Sequence, residues 1–282
     1  MTALQRQIWL VTGVSSGFGR ELAQALLDRG STIVGTVRQE SQRGGFEALA
    51  PGRAHARLLD VTQPATIPPL VHDLIDRFGH LDVLVNNAGY GLFGAVEELD
   101  DAESRRVMET NFFGTLNMIR AVLPHFRARR AGHVVNVSSI SGLMGMAGVG
   151  LYCASKFAVT GLSESLAQEL APFGIRVTVV APGGFRTNFA GGSMALAKHP
   201  IGEYEGTPAA LPRSRLARYH GTQPGDPAKA AAAIIAAVES PNPPVHLLLG
   251  PDALQYVRGK VAAFSEEVTA WETLSSSTNF DT

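Results

Sequence analysis

One cysteine, Cys153, is all that the 282 residues carry. An internal disulfide is thereby excluded, and the usage fits a reducing cytoplasm. An excess of charge of either sign is also lacking. The 24 lysines and arginines stand against 25 aspartates and glutamates, so nucleic acid is not an expected partner. No apolar run approaches the length of a membrane span. The amino terminus reaches its first strand-like segment too soon for a signal peptide, and a cytoplasmic protein is the expectation. The eight histidines are scattered, with no His-x-x-x-His and no His/Cys pair at ligand spacing, so no metal site is expected. Repeats, low-complexity tracts and charge blocks are missing too.

What is present is an alternation of strand and helix signals along the whole chain. That is the pattern of an α/β, doubly wound parallel sheet in a single domain over 1–282. Ile8-Trp9-Leu10-Val11 reads as a short buried strand. It runs into Thr12-Gly13-Val14-Ser15-Ser16-Gly17-Phe18-Gly19, after which Leu22, Ala23, Ala25, Leu26 and Leu27 recur at helical spacing. A glycine turn between strand and helix lets a pyrophosphate approach the main chain, and the helix start offers free N–H groups to the anion. The spacing is not Gly-x-Gly-x-x-Gly, and no Gly-Lys-Ser/Thr follows, which disfavours a Walker-type nucleotide site. A tight β–α connection without a ligand is the alternative to a dinucleotide.

Further along, Val83-Leu84-Val85 ends in Asn86-Asn87-Ala88-Gly89, and a helical stretch from about Asp101 to Leu123 contains Asn111. Val134–Val137 leads to Ser138 and Ser139, and Val177–Val180 leads into Pro182-Gly183-Gly184-Phe185-Arg186-Thr187. Between them lies Tyr152-Cys153-Ala154-Ser155-Lys156. On a helix, Tyr152 and Lys156 share one face. Tyrosine ionises near pH 10, and bringing it into play near neutrality takes about 4 kcal/mol. A fixed cation in a partly desolvated site is a source of much of that. Each group falls at the carboxyl end of a strand or on the helix after it, the edge at which open parallel sheets bind ligands.

Together these residues resemble the short-chain dehydrogenase/reductase family, in its single-domain branch. The resemblance covers roughly Gln7 to Thr187 motif by motif and Pro227 to Leu249 by layout. It implies a Rossmann-type sheet flanked by helices on both faces, a nicotinamide cofactor, and hydride transfer at an alcohol or carbonyl carbon. By the same resemblance Tyr152 is the general acid/base, and Lys156 lowers its pKa and holds the nicotinamide ribose. Ser139 bonds the substrate oxygen, and Asn111 anchors a water in a proton relay. The cofactor contacts it implies are Gly13, Ser15, Ser16, Gly17, Phe18, Gly19, Arg38, Asp60, Val61, Asn87, Ala88, Gly89, Tyr152, Lys156, Pro182, Gly183, Phe185 and Thr187. A cofactor-binding sensor, or a redox-neutral epimerase or lyase on the same fold, stays open beside the reductase.

Cofactor choice is legible at the end of the second strand, Thr32–Val37. An NAD-type site offers an acidic residue there, whereas this chain has Val37 followed by Arg38. A guanidinium suits the extra phosphate of NADP(H), with NAD(H) as the alternative. Arg43 is a second candidate. Asp60 resembles an adenine contact and equally a cap for the next helix. Arg127, Arg129 and Arg130 fall near a helix end, where cations meet the macrodipole; docking of an acidic carrier protein is the other reading.

Residues 188–226 read as a substrate-binding loop or lid, irregular except for a short helical segment near Ser193–Lys198. Its apolar candidates are Phe189, Met194, Leu196 and Tyr204, joined by Leu143, Met144 and Met146. They favour an apolar or bulky carbonyl compound. Pro227 starts a helix through Val238, Val245–Leu249 reads as a last strand, and 250–282 is a C-terminal extension. Within it Leu254–Trp271 forms a helix with Val257, Val261, Phe264, Val268 and Trp271 on one face. Such a tail resembles the steroid- and retinol-dehydrogenase-like members and either covers the pocket or packs on a partner subunit. Family habit implies a homodimer or homotetramer through the long helices around Asn111 and Tyr152.

Overall fold

Buried on both faces, a central strand must be apolar at every position, and Ile8–Val11 is. In the computed structural model, which describes residues 7–280, this segment is β1. Trp9 and Val11 join one core cluster, while Ile8 and Leu10 join another on the opposite face of the sheet. The element order is β1 (Ile8–Val11), α1 (Gly17–Asp28), β2 (Thr32–Val37), α2 (Arg43–Glu47), β3 (Ala54–Leu58), α3 (Ile67–Phe78), β4 (Val83–Asn86) and β5 (Gly91–Phe93). Then come α4 (Asp101–Met108), α5 (Gly114–Arg129), β6 (Gly132–Val137), α6 (Gly150–Leu170), β7 (Ile175–Pro182), α7 (Phe189–Gly192) and β8 (Met194–Leu196). The chain continues through α8 (Leu211–Tyr219), α9 (Pro227–Glu239), β9 (His246–Leu249) and α10 (Pro251–Ser276).

Seven strands form one parallel sheet in the order β3-β2-β1-β4-β6-β7-β9. The chain winds outward from β1 to β3 and then restarts at β4 toward β9. The crevice between β1 and β4 is therefore the topological switch point, where such sheets bind ligands. Leu22, Leu26, Leu27, Ile234 and Ile235 of α1 and α9 cover one face. Ile67, Val71, Leu74, Met118, Val122, Phe126 and Leu166 of α3, α5 and α6 cover the other.

The stretch read as one helix around Asn111 is helical throughout but has a π-helical turn at Glu109–Phe113 between α4 and α5. Arg129 and Arg130 are structural ties at the end of α5. Arg129 donates to the Leu81 carbonyl and pairs with Asp82, and Arg130, in the left-handed region at φ 52°, donates to the Pro172 carbonyl. The expected helix near Ser193–Lys198 is instead strand β8, paired in parallel with β5 as Gly91↔Met194 to Phe93↔Leu196. Long-range pairing overrides the helical leaning of Met-Ala-Leu-Ala-Lys. The irregular reading of the following stretch is also corrected, since Leu211–Tyr219 is α8, with Pro212 in its first turn. Residues 1–6 and 281–282 of the expected 1–282 domain lie outside the described residues. Among the described residues, no helix is long and apolar enough to cross a membrane.

Candidate active site

At the switch point the turns after β1 and β4 are fastened together. The Thr12 hydroxyl accepts the amides of Asn87 and Ala88 at 2.9 and 3.0 Å. Asn87 returns two bonds of 2.9 Å from its Nδ2 to the Thr12 and Gly13 carbonyls. Gly13 holds a φ of 72°, which excludes most side chains, and its amide donates to the Thr36 hydroxyl at 3.2 Å. Gly19 is required for room. A Cβ there would collide with the Gly13 carbonyl and lie 2.5 Å from Asn87 Nδ2. Gly17 opens α1, and Ser16, at its N-cap, makes no side-chain cap. The first-turn amides of α1 thus face the crevice, beside a groove of about 420 Å³ lined by Gly17, Arg186, Thr187 and Asn188. This cradle fits a dinucleotide pyrophosphate. Phe18 packs edge-on against Phe185, ring centroids 5.2 Å apart, tying α1 to the turn after β7.

Along the crevice, Ser15 and Arg38 are exposed, the latter just past β2. Arg43 is paired with Glu40 at 2.8 Å. Asp60 is exposed and accepts the Thr62 amide and hydroxyl at 2.9 and 2.8 Å, so it caps its own turn and not a helix. Val61 is buried, and a Cβ on Gly114 would lie 2.6 Å from its Cγ2. Gly89 keeps a narrow place open. A Cβ there would lie 2.9 Å from Asn111 Oδ1 and 3.6 Å from Lys156 Nζ. Beyond β7, Gly183 and Gly184 follow Pro182, and the Thr187 hydroxyl accepts the Phe189 amide at 3.2 Å.

Ser139, Tyr152, Lys156 and Asn111 converge on this place. Ser138, at the end of β6, donates to the Lys156 carbonyl and meets the Thr160 hydroxyl, both at 3.0 Å, which sets α6 against the strand. In that register the Ser139 hydroxyl stands close enough to the Tyr152 phenol to favour its ionised form. Lys156 Nζ donates to the Val137 carbonyl at 2.9 Å and lies 5.9 Å from the Tyr152 ring centroid. Asn111 bonds Tyr90 through both carboxamide atoms and reaches Ser155 Oγ at 3.0 Å. It sits in the π-turn, a distortion frequent at functional sites.

The expected depression of the tyrosine is not what the chain's own groups produce. Burial pushes the Tyr152 phenol up to about 12, against the Ser139 hydroxyl, which pulls it down. Burial also pulls the Lys156 ammonium down to about 8. The ammonium is spent on the Val137 carbonyl, and in this desolvated place a phenolate is costly. Cys153 is buried beside Tyr152 with Val149 and Met146, and burial pushes its thiol up.

Over Tyr152 lies Phe189, ring centroids 6.0 Å apart, with Phe93 and Met146 packed alongside. Of the other lid candidates, Met194 packs under Gly91, Leu143 and Met144 are half-buried, and Leu196 is exposed. Tyr204 is not a pocket residue, since its hydroxyl donates to Glu97 at 2.8 Å. It belongs to a clasp that sequence reasoning missed. Glu98, its side chain 1 % exposed, accepts the Ile201 and Ala95 amides at 2.8 Å each and pairs with Arg213 at 3.1 Å. Lys198 pairs with Asp100 at 3.2 Å, and its amide donates to Glu103. Burial alone would raise the Glu98 carboxyl; the two amides and Arg213 more than offset it and hold it below the usual range. Arg213→Met should therefore lower stability by about 1.5–3 kcal/mol and speed proteolysis between 198 and 213. Unchanged thermal unfolding would contradict the clasp. A lowered folded-state carboxyl stabilises above its unfolded value and loses that contribution as pH falls through the folded one. The clasp therefore holds across neutrality and loosens only as pH falls below the ordinary glutamate range.

Asp252, in the first turn of α10, was also not foreseen. Its carboxylate accepts the Gly184 amide at 2.7 Å, bracing the turn after β7. Nothing in a Pro-Asp helix start signals a contact 68 residues away.

The profile described as short chain dehydrogenase matches residues 7–195. The 3-ketodihydrosphingosine reductase of Bacteroides thetaiotaomicron is 40% identical over 249 residues, 88% of this chain and 89% of that protein. The crystal structure of a short-chain dehydrogenase from Streptomyces avermitilis superposes with a TM-score of 0.90 at 43% identity, covering 97% of this chain and 98% of that one. A short chain dehydrogenase from Burkholderia cenocepacia, in complex with NADP, superposes with a TM-score of 0.72 at 26% identity over 94% of this chain and 96% of that one.

Proposed function

Because the chain belongs to the short-chain dehydrogenase family and is an NAD(P)-dependent dehydrogenase/reductase, we propose that it reduces an apolar ketone or aldehyde with NADPH. The observation that carries this reading is the Ser139–Tyr152–Lys156 group beside the glycine cradle, with its phenol held protonated. A protonated tyrosine is a proton donor, the role that carbonyl reduction requires at the oxygen. Gly13, Ser15, Ser16, Gly17, Phe18 and Gly19 would hold the pyrophosphate, Asn87, Ala88 and Gly89 the central ribose, and Tyr152 and Lys156 the nicotinamide ribose. Asp60 and Val61 would face the adenine, and Pro182, Gly183, Phe185 and Thr187 the nicotinamide end. The bound dinucleotide supplies the hydride. Ser139 and Tyr152 then donate to the oxygen on which negative charge builds. Tyr152 gives up its proton, and the Lys156 ammonium offsets the charge left on the phenol. Asn111 holds the Tyr90 segment and Ser155 in register behind them.

Phe189, Phe93 and Met146 around Tyr152 support an apolar substrate, and so does the long-chain ketone named for the Bacteroides relative. The reading includes one domain in the cytoplasm, with homo-oligomers through α5, the π-turn before it and α6, where Phe113 and Phe157 are exposed. The test is NADPH and NADH consumption against a panel of ketones, aldehydes, steroids, retinal and quinones. NADPH-dependent turnover is expected, and Arg38→Ala should cut the preference for NADPH over NADH by about tenfold, a lost charged contact to phosphate. Equal use of both dinucleotides by the unaltered enzyme would remove Arg38 from the argument. Dinucleotide binding without any turnover would favour the sensor, and product formation without net NADPH oxidation an epimerase or lyase.

A further inference from the structure

Past its first turn, α10 leaves the body of the protein: every residue from Arg258 to Ser276 is exposed. Of the two readings of this tail, a cover on the pocket does not describe that length, which leaves packing on a partner subunit. Apart from Tyr256 and Leu274, the apolar side chains it leaves wholly or partly in water are ordered. Leu254, Val257, Val261, Phe264, Val268 and Trp271 follow one another at spacings of three, four, three, four and three residues. Phe264 is 60% exposed and Trp271 63%. A surface helix that packs on its own domain shows a broader stripe with a 3.6-residue period, whereas a strict 3.5-residue period is the seam of a coiled coil.

We propose that α10 pairs with α10 of a second copy of this chain as an antiparallel two-helix coil. The charges beside the seam select both the partner and the direction. Parallel alignment sets Glu267 against Glu272 of the other copy, twice. Antiparallel alignment, with Val261 opposite Phe264, sets Lys260 against Glu267 at both ends of the two-fold. Core sizes agree, because antiparallel layers match Trp271 with Leu254, Phe264 with Val261 and Val268 with Val257. Parallel layers would stack Trp271 on Trp271 and Phe264 on Phe264. The four aromatic side chains of the two copies carry roughly 600–1,000 Å² of surface at about 150–250 Å² each. About three fifths of that surface is exposed, and the eight aliphatic side chains with the flanking residues that pairing covers bring the seam toward the lower end of the ~1,200–2,000 Å² of a specific interface. A membrane surface is the poorer occupant. α10 carries Asp252, Glu266, Glu267 and Glu272 against Arg258 and Lys260 only, while helices lying on anionic lipid are rich in lysine and arginine.

Sedimentation of the full chain at micromolar concentration tests the pairing. Val261→Glu with Phe264→Glu should halve the particle mass while NADPH binding and the thermal transition of the body remain; an unchanged mass overturns the proposal. Direction is read from oxidative cross-linking. Leu254→Cys with Trp271→Cys in one chain should give a covalent dimer, and neither single variant should. A dimer from a single variant overturns the antiparallel arrangement. Flotation with phosphatidylglycerol vesicles supplies the remaining arm. Absence of flotation supports the pairing, whereas flotation that Phe264→Glu abolishes, with no change in mass, assigns the seam to lipid and overturns it.

Discussion

Tyr152→Phe is expected to lower kcat by about 10²–10⁴-fold, the range of a positioned acid/base group, while dinucleotide affinity changes by less than about threefold. Phenylalanine fills the same buried place between Cys153 and Phe189. What it removes is the hydroxyl that stands beside Ser139 and, on the proposed reading, carries the proton. Stability should change by no more than about 1 kcal/mol, the most that one hydroxyl contact contributes. The pH profile of the unaltered enzyme adds a second check. The phenol stays protonated to about 12, so the first group lost on raising pH is the Lys156 ammonium, at about 8. Carbonyl reduction should decline above that value. In stability the same lysine has the opposite sign. Its folded value lies below the unfolded 10.5, so the fold binds fewer protons than the unfolded chain between about 8 and 10.5. The cost of the buried charge is felt below about pH 8 and relieved as pH rises through that window. Turnover of Tyr152→Phe within a few-fold of the unaltered enzyme would defeat the mechanism.

The second large effect is expected at Gly19. Alanine suits a helix better than glycine by roughly 1 kcal/mol in general, yet here its methyl would meet the Gly13 carbonyl and Asn87 Nδ2. Neither atom is the far end of a flexible side chain, since one is backbone and the other is held by two bonds of 2.9 Å. Gly19→Ala should therefore destabilise by about 1–3 kcal/mol, the cost of overpacking. It should also weaken dinucleotide binding at least tenfold, about 1.4 kcal/mol, because the turn and α1 can no longer meet. Gly44→Ala is the control. A Cβ there meets nothing within 4 Å, so the same substitution should leave both quantities nearly unchanged. Isothermal titration with NADPH beside thermal unfolding reads both. Native-like affinity in Gly19→Ala would mean that the cradle does not hold the pyrophosphate.

Much of this was legible in the chain. Ile8–Val11, the glycines at 13, 17 and 19, and Tyr152 with Lys156 declare themselves because each depends on local geometry, and together they placed the crevice. The π-turn at Asn111 was not visible, because it changes no apolar spacing. Residues 194–196 misled for the opposite reason: their local preference is helical, and only pairing with Gly91–Phe93 makes them a strand. The Glu98–Arg213 pair spans 115 residues, and no local pattern announces a partner at that distance. The lifted pKa of Tyr152 was likewise out of reach, since it follows from how deeply the fold buries the ring and from where Lys156 spends its bonds.

The segment from Phe189 to Arg213 also has a division of labour with a consequence for change over time. Its inner part, with Phe189, lies over Tyr152, while Lys198, Tyr204 and Arg213 in its outer part grip the acidic run from Glu97 to Glu103. The outer ties and the cover over Tyr152 are thus written in separate stretches of sequence. On the proposed reading, mutations at the inner positions would retune which substrate is accepted without loosening the outer ties, so new specificities would be reachable by single steps through stable intermediates.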